Sequence, residues 1–142
     1  MRTIKFRGKA SRNKDMWLYG DLVKINNSYH ILGKDDMIED GHHIKQDSDI
    51  PTWVDEKTIG QFTGLLDKNG KEIYEGDILK VYYYGKSKVF GFVRFDDARF
   101  YIDDEFLRNE LKVKAPMTEL FSHYQFEVIG NIHDNPELIK EE

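Results

Sequence analysis

The chain has 142 residues, a length that closes one hydrophobic core and buries roughly two thirds of the unfolded surface. Its 9 Phe, 8 Tyr and 2 Trp are too many for a disordered tail, and its 0 Cys exclude a disulfide framework, a thiolate zinc site and a cysteine nucleophile. The net charge of -5 is unevenly spread: residues 1–14 hold six bases and no acid, whereas residues 35–56 hold eight acids against the single base Lys45. No apolar run approaches the roughly 20 residues of a membrane helix, and Met1-Arg2-Thr3-Ile4-Lys5-Phe6-Arg7 lacks a signal-peptide core, so a soluble, cytoplasmic protein is expected.

Alternation with turn punctuation, not helical period, dominates the pattern. Thr3–Arg7 reads as a first strand with Ile4 and Phe6 on the apolar face. Met16–Tyr19 reads as a strand covered on both sides, and Gly20 as a bend. Leu22–Ile25 and Tyr29–Leu32 form a hairpin across Asn26-Asn27. Residues 33–51 read as a long acidic loop. Extended structure resumes at Trp53-Val54 and Thr58–Gly64, and Asn69-Gly70 signals a turn into Glu72–Tyr74. Ile78–Tyr82, Lys88–Phe95 and Arg99–Ile102 read as a three-stranded meander. Met117, Leu120, Phe121 and Tyr124 stand at helical spacing behind Pro116, and Phe106, Leu107 and Leu111 suggest a helical turn over 103–111. Phe126–Ile132 returns to strand.

The expected fold is mainly β, of the β-rich α+β kind: twisted antiparallel sheets forming a barrel-like core, with one or two short helices near the C-terminus. A single domain over 1–142 is expected, subdivided into an N-terminal β lobe, 1–57, and a C-terminal barrel-like lobe, 58–138.

Three segments carry a resemblance. Thr58-Ile59-Gly60-Gln61-Phe62-Thr63-Gly64-Leu65 runs into Asp67–Ile78, the tail reads Phe126–Leu138, and the chain opens with Ile4-Lys5-Phe6-Arg7 and later Met16-Trp17. Together they resemble the YopX family of bacteriophage and prophage proteins over nearly the whole chain. The resemblance implies a small β protein made in the host bacterial cytoplasm; it supplies no reaction and no site residue. The shared block reads as turn chemistry, with Gly64, Gly70 and Gly76 at bends and Phe62, Ile73 and Ile78 in a core.

Candidate chemistry is sparse. His42-His43 beside Asp36, Glu39, Asp40 and Asp47 has the residue types of a metal site, but adjacent histidines on an extended segment point to opposite sides, and a solvated acidic loop is the simpler reading. Glu72, Glu75 and Asp77 could do acid–base work; Glu75-Gly76-Asp77 reads better as a turn in which Asp bonds its own backbone. Phosphate-loop and serine-hydrolase motifs are absent. A binding surface has better material. Residues 78–94 hold four bases and no acid around Tyr82-Tyr83-Tyr84, the mixture of rings and cations that stacks bases and pairs with phosphates, and Trp17 and Tyr19 beside the basic first strand extend it. The candidate nucleic-acid or partner-binding residues are Tyr82, Tyr84, Lys86, Lys88 and Arg94.

The sequence therefore points to a non-enzymatic accessory protein of a phage or prophage, a β module that binds another macromolecule and self-associates, with no cofactor and no metal. Its expected partners are a second copy of itself and a phage or host protein, with nucleic acid as a further candidate and no membrane. The alternatives are a single-stranded nucleic-acid binder and, behind it, a metal-dependent hydrolase built on the carboxylates and His42.

Overall fold

The computed structural model describes residues 3–46, 49–103 and 115–139. The fold is mainly β, its sheets antiparallel, and the chain divides into two compact units, Met1–Phe62 and Thr63–Glu142.

In the first unit, β1 (Phe6–Ala10), β2 (Asn13–Ile25) and β3 (Ser28–Leu32) form an antiparallel meander. The two strands expected either side of Gly20 are one. β2 pairs with β1 as far as Phe6↔Gly20 and with β3 from Asp21↔Leu32 onward. Only glycine fits this handover, because a Cβ at position 20 would run into the carbonyl oxygen of Leu32. The turn from β2 to β3 is Asn26-Asn27, with φ of 50° and 66°, the left-handed region that asparagine tolerates.

Alternation sorts the faces of this sheet. Ala10, Leu18, Ile31 and Val54 form the core, with Phe6, Met16, Leu22, Tyr29 and Ile59 packed around them. Arg7 and Lys9 take the opposite face of β1, where their cross-strand partners are Tyr19 and Trp17. Two expectations change here. Ile4 precedes β1 and is exposed, and the Met16–Tyr19 stretch is not covered on both sides, since Tyr19 is 52% exposed.

The edge of β3 is closed by loop backbone: Ile31 N–H donates to Thr52 O at 2.8 Å and Val54 N–H to Tyr29 O at 3.0 Å. The acidic stretch before Pro51 is not only loop. β4 (Met37–Glu39) and β5 (His43–Lys45) make a ribbon around Asp40-Gly41 and, among the described residues, pair only with each other. The first residues of β6 (Gly60–Leu66) pair with β1 through Phe6↔Gln61 and Arg7↔Gly60.

In the second unit, the latter part of β6 neighbours β7 (Glu72–Tyr74), and Thr63 Oγ1 donates to Ile73 O at 2.8 Å. The expected meander is present as β8 (Asp77–Tyr83), β9 (Lys86–Asp96) and β10 (Arg99–Asp103), flanked by β11 (Ala115–Pro116) and β12 (Gln125–Asn131) in the order β11-β10-β9-β8-β12. Ile73, Leu79, Val81, Val93, Ile102, Met117 and Phe126 form its core. The rings of Phe121 and Phe126 stack at 4.5 Å, a contact worth about 1 kcal/mol beyond the area it buries.

The barrel-like core is not there. Among the described residues β11 and β12 do not pair, and the outer edge of β12 is already satisfied by a loop. Lys68 N–H donates to Phe126 O at 2.8 Å, and Val128 N–H donates to Asp67 Oδ2 at 3.0 Å. A strand edge whose groups are bonded to a loop has none left to close a barrel.

The expected C-terminal helices likewise shrink to single turns. α1 is five residues, Met117–Phe121, because the chain must re-enter the sheet at Gln125, opposite Tyr82. A 3₁₀ turn follows at Pro136–Leu138. The helical turn expected over 103–111 falls, beyond Asp103 in β10, outside the described residues. No helix among the described residues is long and apolar enough to cross a membrane.

Candidate binding surface at the β8–β9 hairpin

β8 and β9 meet at a two-residue turn, Tyr84-Gly85, closed by the pair Tyr83↔Lys86. Both turn residues have positive φ, 46° and 73°, the conformation whose twist suits a hairpin. Glycine takes it freely, whereas a tyrosine there is strained by about 1 kcal/mol or more. The Tyr84 side chain is 97% exposed.

Beside the turn lies a groove of about 490 Å³ lined by Tyr82, Tyr83, Tyr84, Lys86, His123 and Tyr124. Tyr83 meets Tyr124 edge-on at 6.5 Å, and His123 lies 6.4 Å from Tyr124. His123 and Tyr124 arrive here because α1 ends at Phe121 and the return to β12 carries them past the hairpin; their side chains escape sequence reasoning that looks only along one strand.

The five residues named from sequence do not form one cluster. Tyr82, Tyr84 and Lys86 line the groove. Lys88 stands opposite Val81 on the same side of the hairpin as Lys86, which stands opposite Tyr83. Tyr82 presents its ring to Lys68, whose Nζ is 4.0 Å from the ring centroid, with Lys80 Nζ at 5.7 Å. Its hydroxyl donates to Glu127 Oε2 at 3.1 Å, and that hydrogen bond, with some desolvation, holds the phenol above its ordinary pKa. Arg94 is eight residues along β9 from Lys86, about 26 Å at the rise of an extended strand. It is committed to Asp103 at 3.1 Å, a hydrogen bond that raises its pKa further. Arg94 is thus a cross-strand tie rather than part of the groove.

The sequence profile of the family described as YopX protein matches residues 5–140. The chain belongs to the YopX family. Among solved structures it is similar to one whose title reads "Crystal structure of protein EF1440 from Enterococcus faecalis", with 28% identity, a TM-score of 0.55, and coverage of 99% of this chain and 100% of that one. No curated protein matches it.

The family block around residues 58–78 proves to be held by carboxylates acting on backbone. Asp67 Oδ1 accepts from Asn69 N–H at 2.8 Å and Lys71 N–H at 2.9 Å, while its other oxygen takes Val128 N–H. Burial alone would raise the Asp67 pKa; the bonds from Val128, Lys71 and Asn69 and the charge of Lys71 outweigh it and bring it below the ordinary value. Asp77, almost fully buried, accepts from Tyr74 N–H at 2.8 Å across Glu75-Gly76, the turn role expected of it.

The histidine pair is equally local. His42 Nδ1 lies 2.7 Å from Asp40 O, an atom that only accepts, so Nδ1 carries a proton. The ring centroids of His42 and His43 are 4.6 Å apart. No group of three metal-ligating side chains converges among the described residues, and Asp47 lies outside them.

Proposed function

We propose that this YopX-family chain is a non-enzymatic accessory protein of a phage or prophage, working in the host bacterial cytoplasm by binding another protein through the β8–β9 tip, and that it self-associates. The observation that carries the reading is Tyr84: a large ring, nearly all in solvent, held in a left-handed conformation that asparagine or glycine would occupy at lower cost. Strain retained at an exposed aromatic beside an aromatic groove marks an anchor, since tyrosine supplies rigid contact area with a polar handle.

Of the carboxylates considered for acid–base work, Glu72, Glu75 and Asp77, two favour the same reading: Asp77 accepts from the backbone N–H of Tyr74, and Glu72 accepts from the Tyr74 hydroxyl at 3.4 Å. Single-stranded nucleic acid is the weaker occupant. Lys68 lies over the ring of Tyr82, on a face where a base would stack, and Glu127 sits at its hydroxyl, where a phosphate would be repelled.

The test is capture of host-cell lysate on immobilised full-length chain, with and without nuclease, comparing the native protein with Tyr84→Asn. Proteins retained by the native chain, lost with the variant and indifferent to nuclease support the reading. An unchanged retained set, or retention that nuclease abolishes, overturns it.

A further inference from the structure

The first unit holds a groove of its own, built around one short extended segment. Val54 is in the core, 2% exposed, so Trp53 and Asp55 on either side of it face the other way. Backbone fixes the segment on both flanks: Val54 N–H donates to Tyr29 O at 3.0 Å, and Ser11 N–H donates to Trp53 O at 2.9 Å. Trp53 thereby stands beside Tyr29 and the Asn27-Ser28 corner of the β2–β3 turn, around a groove of about 300 Å³ that Ser11, Asp55 and Glu56 also line. That volume is at the small end of small-molecule sites, which run from roughly 300 to 1,000 Å³.

Two kinds of group meet there. Trp53, 44% exposed, turns a flat apolar ring outward, with the half-buried ring of Tyr29 beside it. The polar groups around the rings are uncommitted. Among the described residues the side chains of Ser11, Asn27, Ser28 and Glu56 make no hydrogen bond, and Asp55 engages only Oδ1, which accepts from Lys57 N–H at 3.1 Å. Asp67 and Asp77, by contrast, have their carboxylates bonded to backbone. Charges of both signs border the groove: Asp55 and Glu56 line it, while Arg12 lies 6.0 Å from the ring centroid of Trp53 and Lys24 5.3 Å from that of Tyr29. An anion would meet the carboxylates and a cation the two bases, so neither sign is favoured.

We propose that this groove binds a neutral carbohydrate. A sugar ring combines what the groove asks for: no charge, an apolar C–H face and a rim of hydroxyls. Its C–H face, slightly positive, lies on the Trp53 ring, whose face is negative. Its hydroxyls donate to Glu56 and to the second oxygen of Asp55, and accept from the Ser28 hydroxyl and the Asn27 amide. A nucleotide has a flat face as well, but its phosphate would be repelled by Asp55 and Glu56. A purely apolar side chain would take the same polar groups out of water and give them no partner. The site shares no residue with the hairpin tip, and the two readings stand or fall separately.

The experiment is a titration of the full chain, followed by proton–nitrogen NMR correlation spectra, with the neutral disaccharides maltose, cellobiose, lactose and diacetylchitobiose and with two charged probes, a sulfated disaccharide and argininamide. A neutral disaccharide is expected to give saturable shifts at millimolar concentration, centred on the Trp53 indole and the amides of Ser28 and Glu56, with the Trp17 indole unmoved. Trp53→Ala is expected to abolish the shifts at Ser28 and Glu56. Two further variants keep the fold: Glu56→Ala at an exposed position, and Asn27→Gly, which suits the φ of 66° there. Each is expected to weaken binding, Glu56→Ala by about tenfold or more through the loss of a bond to a charged acceptor. Binding that survives Trp53→Ala or is unchanged in both other variants, shifts centred elsewhere, or no saturable shift with any of the neutral disaccharides overturns the proposal. Tighter binding of the sulfated sugar or of argininamide at the same residues assigns the groove to a charged ligand and overturns it as well.

Discussion

Replacing Asp67 by alanine removes three hydrogen bonds at once, and their surroundings set the cost. The N–H groups of Asn69 and Lys71 belong to exposed loop residues, so water substitutes for the carboxylate there and each loss costs about 0.5–1 kcal/mol. The N–H of Val128 is half-buried on the edge of β12, where a bond to an ionised acceptor is worth about 1.5–3 kcal/mol. The total is about 2.5–5 kcal/mol, a large share of the stability of a unit this size.

The pH dependence is a second, independent signature. The folded-state pKa of Asp67 lies below the ordinary value of 3.8, so its stabilisation is fully present above 3.8 and is lost as pH falls through the folded pKa. The gap between native protein and Asp67→Ala in urea unfolding, followed by circular dichroism, should be widest at neutral pH and close in strong acid. Hydrogen exchange should show the local origin, with faster exchange at Val128. A gap under about 0.5 kcal/mol at neutral pH, or one that persists unchanged in strong acid, would refute the argument that an ionised carboxylate holds β12.

Gly20→Ala should cost at least about 3 kcal/mol in thermal unfolding, because the new methyl group meets backbone at Leu32 that cannot step aside. His30, whose Nδ1 is 3.0 Å from Thr52 Oγ1, has its pKa lowered by burial below 6.5. The unfolded chain therefore binds the proton first, and stability should fall as pH drops from 6.5 toward the folded pKa; His30→Gln should flatten that slope in melts followed by the fluorescence of Trp17 and Trp53, the first unit's tryptophans. Arg94→Ala should lower stability by about 1 kcal/mol through the lost bond to Asp103 and leave capture of lysate proteins unchanged, since Arg94 is remote from the groove.

Local chemistry was legible in the sequence, and long-range chemistry was not. The turn at Asn26-Asn27, the β8–β9–β10 meander and the bond from Asp77 to its own turn depend on residues a few positions apart, where spacing and side-chain type suffice. The turn after β6 shows the limit. Asn69-Gly70 drew attention as a hairpin signal, yet only Gly70 has positive φ; Asp67 organises the loop, and its third bond reaches 61 residues along the chain. That bond occupies the edge of β12 and is the reason a barrel, plausible from alternation alone, does not close.

The binding surface divides along the same line. Tyr84 and Lys86 come together because they flank one turn, whereas grouping Arg94 with them treated charge as if proximity in sequence were proximity in space. A strand separates its ends by about 3.3 Å per residue, and an aspartate on the neighbouring strand claims a cation sooner than a ligand does. The partners that do complete the groove, His123 and Tyr124, come from a connection whose course is set by the register of β12 against β8.

Backbone strain at a turn is not enough to mark function, and a second turn makes the comparison. Asp97 and Ala98 carry φ of 53° and 62° between β9 and β10, so this chain tolerates an unfavourable residue where nothing is displayed. What separates Tyr84 is the combination with its ring, 97% exposed and bordering a groove of other aromatics. The two readings differ in what Tyr84→Asn does. If the tyrosine is incidental, the variant gains up to about 1 kcal/mol from a residue suited to the left-handed turn and loses nothing. If it is an anchor, the same stabilised variant fails to retain the partner, and the opposite signs of the two effects separate a binding defect from a folding one.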